Sequence, residues 1–371
     1  MKNSGSLDQR SVGRRNFLKS GMLAGGAVVG AGLIGEAAPA FGQDYGRGGR
    51  ITEGDVAILQ FLAAAELIES DLWTQYAELG GMLPGQAPFE VDPVAPRNTY
   101  QAAFLNLDGD GAQYITSNTL DEVSHATFLN AYLVSKGADP VDFDGFRTLQ
   151  GSKATGAANI GRLTNLMNLT VDTSWFTRYR STTNPDNGTT YPQAVTIVGK
   201  TAIPRTNADF NNANGIQVIA NTAAFHFGTI EQGGSSLYAA MSQKVNSAEV
   251  LEITLGIGGD EIAHFLEWVD FAGNGTQTPV APVSFGGLTF PNLFTEGPEF
   301  QPNLIFPIPC EFINANLPKC AVIRPLTDQF AGAVATVQFL TKMNLFQGQS
   351  KEFLAELQLL ALRADAAQRG F

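Results

Sequence analysis

Basic residues, histidine and cysteine are all scarce in this sequence. The 371 residues include 23 lysines and arginines against 35 acidic residues, which gives a formal net charge of −12. Nucleic acids and anionic membrane surfaces are bound through basic faces, so neither is an expected partner. Because the chain has only three histidines, the position of each one is informative. Hydrophobic residues make up 44% of the chain, which is enough for the sizeable core of a globular protein.

The N-terminal segment has the pattern of an export signal. GRRNFLK (13–19) is followed by the apolar run GMLAGGAVVGAGLIG (21–35) and by the small-residue site APA (38–40). This run is rich in glycine and alanine and shorter than the roughly 20 apolar residues of a membrane span. We therefore predict a twin-arginine signal peptide at 1–40 and a periplasmic or extracellular mature protein. A short membrane anchor is the alternative.

The mature protein is expected to be acidic and without a membrane span. Removal of residues 1–40 would lower the formal charge from −12 to −15, since five basic and two acidic side chains leave. No later segment has the length and hydrophobicity of a span. Cys310 and Cys320 lie in a proline-rich loop and would reach an oxidising compartment, where a disulfide can form. Two unpaired structural thiols are the alternative.

Hydrophobic periodicity predicts four long helices and two shorter ones. The long helices span about 53–79, 112–136, 215–243 and 247–271, and the short ones 328–346 and 350–369. Gly137 is expected to cap the second helix at its C-terminus. Residues 138–214 are rich in Thr, Asn, Gly and Pro and include strand-like pieces such as QAVTIVG. They indicate a crossover connection between the second and third helices that carries additional loops and strands. Residues 273–325 are loop-like.

The apolar faces of the long helices carry acids and histidines. In the fourth helix, DEIAHFLEW (260–268) places Glu261 and His264 on one apolar stripe, and DEVSH (121–125) does the same with Glu122 and His125 in the second. Buried carboxylates and imidazoles are costly unless they pair with polar groups or a metal. A single motif of this kind is more typical of hydrogen-bonded, packed helices. Two copies favour a shared site.

The first and third helices add glutamates to the same pattern. Glu66 and Glu69 lie on the seam of the first helix, and Glu231 lies on that of the third. The order Glu, E-x-x-H, Glu, E-x-x-H is the one by which a four-helix bundle builds a dinuclear carboxylate site. Four carboxylates cancel the charge of two divalent ions. A ligand set of glutamates and histidines suits iron or manganese, and zinc and copper are the alternatives.

Four segments resemble the ligand helices of the ferritin-like superfamily: AELIESDLW (65–73), DEVSH (121–125), EQGGSSLY (231–238) and DEIAH (260–264). More narrowly, they are similar to exported ferritin-like proteins grouped with plant desiccation-related proteins. The resemblance covers 53–137 and 215–271, and more loosely the last helix. It implies an all-α fold, a ferritin-like four-helix bundle at 50–272 with a long crossover insertion at 138–214. A loop-rich C-terminal extension, 273–371, would end in helices.

The resemblance also implies a role for individual residues. Two divalent metal ions, iron or manganese, would be bridged by Glu122 and Glu261. His125 and His264 would each bind one ion, and Glu66 and Glu231 would be the terminal ligands. Glu69 is the alternative to Glu66, and whichever of the two does not bind metal would hydrogen-bond to a metal ligand. Trp73 and Tyr238 each follow a ligand glutamate by seven residues and would supply electrons. His226 points about 140° away from Glu231 on an ideal helix and is expected to be a core or surface histidine.

Three functions follow from this reading. The first is a redox enzyme that reacts with dioxygen or peroxide and either oxidises ferrous iron or disposes of peroxide. The second is a protein that sequesters metal. The third is a structural or stress-protective protein whose polar cluster specifies the fold. Large loops on the bundle would obstruct assembly into a hollow shell, so iron storage is not expected, whereas a homo-oligomer stays open. The twin-arginine route suggests that metal is inserted in the cytoplasm before export.

Glycines flank two of the predicted ligands. Gly233 and Gly234 follow Glu231, and Gly258 and Gly259 precede Glu261, although an interior helical glycine costs up to about 1 kcal/mol. Close helix approach, room for a small oxidant and a plain helix irregularity are the three interpretations.

Overall fold

The structure is a computed structural model. It describes residues 51–80, 98–105, 107, 111–176, 192–270, 282–291, 306–308, 316, 320–322 and 331–370. The predicted signal peptide and Cys310 lie outside these ranges, so export and the disulfide stay predictions. The described part of the chain is mostly helical with a few short strands, which confirms the all-α class.

Four long helices are present, as the periodicity predicted: α1 (Glu53–Ala77), α2 (Gly111–Ser135), α3 (Ala213–Ser242) and α4 (Ala248–Asp270). Their ends lie within two residues of the predicted ones. α1 begins at a capping box in which Thr52 and Asp55 each accept a hydrogen bond from the other's backbone N–H. Beyond α2, Gly137 has a φ of 77°, and the next N–H donates to Leu133 O, so the predicted cap stops this helix. Among the described residues, no helix has the length and hydrophobicity to cross a membrane.

The long helices contact one another through their apolar faces. α1 packs on α2 and α3 packs on α4, with further contacts between α1 and α3 and between α2 and α4. Aromatic rings fill the interior beside these contacts. Trp73 of α1 lies 4.9 Å from Phe227 of α3 and 5.6 Å from Trp268 of α4, measured between ring centroids. Because large rings in a close-packed core have little room to move, the inward faces of the helices are held at defined positions.

The segment between α2 and α3 packs on the helices through buried polar contacts. It contains two short antiparallel pairs: β1 (Leu149–Gln150) with β2 (Gly161–Arg162), and β3 (Leu169–Val171) with β4 (Ile197–Lys200). β4 confirms part of the strand expected in QAVTIVG. The carboxylate of Asp71 in α1 accepts from Thr164 N at 2.9 Å and from Arg147 Nη1 at 2.8 Å. Trp175 donates to Thr229 Oγ1 of α3 at 3.2 Å. The insertion therefore covers α1 and α3.

The C-terminal segment contains strands as well as helices. β5 (Val283–Phe285) pairs with β6 (Leu288–Phe290), and β7 (Phe306–Ile308) pairs with β8 (Cys320–Val322), where only loops were expected. Two helices follow, α5 (Ala333–Lys342) and α6 (Lys351–Ala366). The first N–H groups of α5 donate to the Asp365 carboxylate of α6 at 3.0 and 2.9 Å, so α6 supplies the N-terminal cap. α6 also packs on α1, which places the extension against the long helices.

Candidate metal centre

Six buried acids and histidines from the four long helices converge. They form two groups that could each hold a metal ion, Glu66, Glu122, His125 and Glu261 in one and Glu122, Glu231, Glu261 and His264 in the other. Within each group the ligand atoms lie within 4.8 Å of one another. Glu122 and Glu261 belong to both groups. We call these six residues the acid–histidine cluster, and its two groups share two carboxylates.

Each histidine of the cluster turns its Nδ1 toward the carboxylates. His125 Nδ1 lies 3.2 Å from Glu122 Oε2 and 3.4 Å from Glu66 Oε2. His264 Nδ1 lies 3.1 Å from Glu122 Oε1 and 3.3 Å from Glu231 Oε2. Glu122 therefore stands between the two imidazoles, and each imidazole also faces the glutamate of its own group.

Two aspartates that the sequence reasoning missed hold the other side of the imidazoles. His125 Nε2 in α2 lies 3.1 Å from Asp260 Oδ2 in α4, and His264 Nε2 in α4 lies 3.2 Å from Asp121 Oδ2 in α2. A carboxylate at Nε2 keeps the hydrogen on that nitrogen and leaves Nδ1 available to a cation. The signal was present, because aspartate occupies the same position in DEVSH and DEIAH.

The two aromatic residues predicted to supply electrons contact the predicted terminal ligands. The Trp73 indole N–H donates to Glu231 Oε1 at 2.9 Å, and the Tyr238 hydroxyl donates to Glu66 Oε1. Asn118 Nδ2 also donates to Glu231 Oε1, at 3.2 Å. Each aromatic group thus holds one oxygen of a carboxylate and leaves the second oxygen facing the cluster.

Several cluster atoms form no hydrogen bond with the described residues, although they are buried. They are Oε2 of Glu66, Oε1 of Glu122, Oε2 of Glu231, both side-chain oxygens of Glu261 and Nδ1 of His264. An unsatisfied buried carboxylate is costly, and no described lysine or arginine pairs with these four glutamates. Cations would satisfy these atoms and offset the charge, so this donor set fits metal ions.

Protons would offset part of the negative charge when no cation is bound. Burial and the neighbouring Glu66 raise the pKa of Glu122 to about 8. Burial and Glu122 raise the pKa of Glu261 well above its usual value. Burial alone would lower the pKa of His125, but its hydrogen bonds with Asp260 and Glu122 and the nearby Glu66 carboxylate outweigh burial and raise it to about 12. A metal ion must displace these protons to bind.

Glu69, the alternative to Glu66, lies outside both groups. It is partly buried and lines an apolar cavity together with residues such as Leu72, Gly233 and Leu340. Burial and Glu122 raise the pKa of the Glu69 carboxyl. The structure therefore brings Glu66 into the cluster and places Glu69 beside it.

Close approach of α3 and α4 accounts for two of the four flanking glycines. A Cβ on Gly234 would lie 2.6 Å from Glu261 Cδ, and one on Gly258 would lie 2.8 Å from Tyr238 Cβ. Nothing lies within 4 Å of a Cβ on Gly259, so close approach does not explain that position. At Gly234 the absent side chain leaves the space that the Glu261 carboxylate occupies.

His226 lies outside both groups, where its side chain is buried and hydrogen-bonded to Tyr76.

No family model matches the chain, and no curated protein or solved structure was found to be similar to it.

Proposed function

We propose that this chain is an exported ferritin-like protein that binds two iron or manganese ions and performs redox chemistry with dioxygen or peroxide. In this proposal α1 to α4 form a four-helix bundle. The observation that carries it is the pair of buried ligand groups that share Glu122 and Glu261. Neighbouring groups with two common carboxylates are the arrangement that a dinuclear carboxylate site needs.

The proposed ligand roles follow from which atoms face the shared space. Glu122 and Glu261 would bridge the two ions, while His125 with Glu66 and His264 with Glu231 would complete one ion each. Asp260 and Asp121 would orient the imidazoles. Bound iron or manganese would supply the electrons that reduce dioxygen or peroxide.

The aromatic contacts favour redox chemistry over simple storage of metal. Trp73 and Tyr238 are fully buried, and both donate directly to cluster carboxylates. Indole and phenol rings can each give up one electron. A protein that only sequesters metal has no need of two oxidisable rings at its ligands, so their position supports the redox proposal.

Metal analysis tests the binding part of the proposal. The mature protein, purified without chelators and then reloaded with Mn²⁺ or Fe²⁺, should hold two ions per chain by elemental analysis. Glu122→Gln should lose most of this metal, because it removes the charge of a shared carboxylate while keeping its size. Glu249→Gln is the matched control, since Glu249 in α4 is partly exposed, pairs with Lys136 just after α2 and lies outside both ligand groups. No metal after reloading, or equal loss in both variants, would overturn the proposal and leave a structural role.

Turnover separates the redox function from sequestration. Dioxygen or peroxide consumption should accompany oxidation of added Fe²⁺ in the metal-loaded protein and be absent in Glu122→Gln. Metal binding at full stoichiometry without any such consumption would favour a sequestering protein.

We also propose that the site is filled in the cytoplasm and carried through the twin-arginine route as a folded protein. Divalent affinity rises from manganese and iron to copper, so the order of folding and export would decide which metal is bound. Replacement of residues 1–40 by a signal for unfolded export, followed by metal analysis of the exported protein, tests this. Unchanged iron or manganese occupancy would contradict it.

A further inference from the structure

A buried tyrosine–histidine pair lies outside both ligand groups of the acid–histidine cluster. Tyr76 of α1 and His226 of α3 are both fully buried, and the Tyr76 hydroxyl lies 2.6 Å from His226 Nδ1. The other ring nitrogen, His226 Nε2, forms no hydrogen bond with the described residues. The pair is thus a short polar contact in an apolar environment.

The number of unsatisfied groups indicates the direction of this hydrogen bond. If Tyr76 donates to Nδ1, only the Nε2–H of His226 lacks a partner. If Nδ1–H donated instead, both the phenol O–H and Nε2 would lack one, which costs more. Burial lowers the pKa of His226 to about 3 and raises that of Tyr76 well above its usual value. The resting pair is therefore a neutral phenol that donates to a neutral imidazole.

Trp73 connects this pair to the cluster. It lies one helical turn before Tyr76, with 5.8 Å between their ring centroids, and its indole N–H donates to Glu231 Oε1. Phe227 packs on both rings, 4.9 Å from Trp73 and 4.7 Å from Tyr76. The rings are close enough for an electron to pass from Tyr76 to Trp73.

We propose that Tyr76 and His226 form a proton-coupled trap for oxidising equivalents that leave the acid–histidine cluster through Trp73. This inference rests on the proposed function, in which a peroxide-class oxidant removes one electron from Trp73. Tyr76 then returns one electron to the Trp73 radical cation, whose indole N–H stays in place. The Tyr76 O–H bond breaks, its proton forms a new N–H bond at His226 Nδ1, and the products are Trp73, a Tyr76 phenoxyl radical and a His226 imidazolium.

His226 is needed because an oxidised phenol is a strong acid, and His226 Nδ1 is the base that the structure places within hydrogen-bond distance of the Tyr76 hydroxyl. A charged phenol radical in an apolar interior would be costly, and a positioned imidazole removes that cost by accepting the proton. One electron from a reductant such as ferrous iron reverses the step, since the proton then moves back from Nδ1 to the phenol oxygen. The trap thereby moves the radical from Trp73, which contacts Glu231, to Tyr76, the next ring in the series.

Ultraviolet flash photolysis of the mature protein as purified tests the trap without any requirement for metal turnover. The flash photoionises tryptophan, and the chain has three, of which Trp268 stacks on Trp73 at 5.6 Å. Transient absorption should show the indole radical decaying as a phenoxyl radical forms. Incorporation of ring-deuterated tyrosine should narrow the electron paramagnetic resonance signal, which identifies the radical as tyrosyl.

Three variants locate the step. Tyr76→Phe should abolish this phenoxyl phase and prolong the indole radical. His226→Gln keeps a hydrogen-bond acceptor but no base, and should slow the phase by on the order of a hundredfold, within the range that a positioned general base contributes. Tyr100→Phe is the matched control, because Tyr100 is equally buried, and it should behave like the wild type. Deuterated solvent should slow the phase in the wild type and equally in Tyr100→Phe.

The proposal is overturned if Tyr76→Phe leaves the indole decay unchanged, or if His226→Gln transfers at the wild-type rate. If Tyr76→Phe does not fold, the His226→Gln rate and the deuterium effect decide the question alone. If the hydrogen bond is purely structural, Tyr76→Phe and His226→Gln should both melt at a lower temperature, and the wild type should show no phenoxyl phase. That result would also overturn the proposal. Because the flash step needs no bound metal, failure of metal binding and failure of the trap are separate results.

Discussion

Gly234→Ala is the most direct test of whether helix approach sets the geometry of the proposed site. A Cβ at this position would lie 2.6 Å from Glu261 Cδ, whereas ordinary contacts begin at 3.4 Å. The added Cβ would also overlap Glu261 Oε2, which is nearer still, so the carboxylate must withdraw by at least about 0.8 Å, the difference between these two distances for Cδ. Metal–ligand distances hold to within about 0.2 Å, so this displacement removes a shared carboxylate from both proposed ions.

The expected loss is in metal affinity rather than in folding. Loss of orientation around a metal ligand typically costs about ten- to a hundredfold in affinity, and removal of a shared ligand should cost at least that much. Alanine also favours a helix over glycine by about 1 kcal/mol, which offsets part of the steric cost to stability. We expect Gly234→Ala to keep its helical circular dichroism and to bind Mn²⁺ at least tenfold more weakly by isothermal titration calorimetry.

Gly259→Ala is the matched control. It is the same substitution in the neighbouring helix, two residues before Glu261, and nothing lies within 4 Å of the added Cβ. It should bind metal like the wild type and unfold at an equal or higher temperature. Wild-type metal affinity in Gly234→Ala would refute the reasoning, since it would show that Glu261 can move without consequence or does not bind metal.

Three further outcomes are expected. Asp260→Asn should weaken Mn²⁺ binding about ten- to a hundredfold in calorimetry, because an amide holds the His125 tautomer less firmly; equal affinity would contradict that role. In metal-free protein, the contribution of Glu122 to stability is complete below its ordinary pKa of 4.5 and is lost as pH rises toward about 8, so the melting temperature should be lower at pH 8 than at pH 5. The raised pKa of His125 has the same sign and the lowered pKa of His226 the opposite one, so a rise in melting temperature over this interval would contradict the dominance of the two raised pKa values. Leu340→Trp should fill the cavity beside Glu69 and slow peroxide consumption at unchanged metal content, whereas unaltered rates would show that oxidant does not enter there.

Local patterns predicted the helices and the cluster, because both depend on spacing along one helix. Glu122 and His125 lie on one face at any packing arrangement, since residues three apart are neighbours on a helix. The choice between Glu66 and Glu69 depends on the rotation of α1, and contacts with the helices around it, such as that of Tyr238 with Glu66, set that rotation. Sequence spacing therefore left this choice open.

Interactions between distant segments could not be predicted in this way. Asp121 reaches a histidine 143 positions away in α4, and Asp71 is buried by a segment 93 positions further along the chain. Such pairs depend on how elements pack, and an acid on a predicted helix is normally exposed. The burial of Glu78 against Arg162 is another example, because nothing near Glu78 in the sequence indicates a buried ion pair.

The cluster has an approximate two-fold pattern that breaks at the aromatic residues. Glu66 with Trp73 in α1 corresponds to Glu231 with Tyr238 in α3, and each aromatic side chain donates to the glutamate of the other helix. Beyond Trp73 the Tyr76–His226 pair extends the series of rings. Tyr238 instead donates to a carboxylate, so its proton acceptor would be a proposed metal ligand. Oxidation of Tyr238 would thus disturb metal binding, whereas oxidation passed through Trp73 ends at a histidine that binds no metal in this proposal. The asymmetry therefore favours α1 as the side on which oxidising equivalents leave the site.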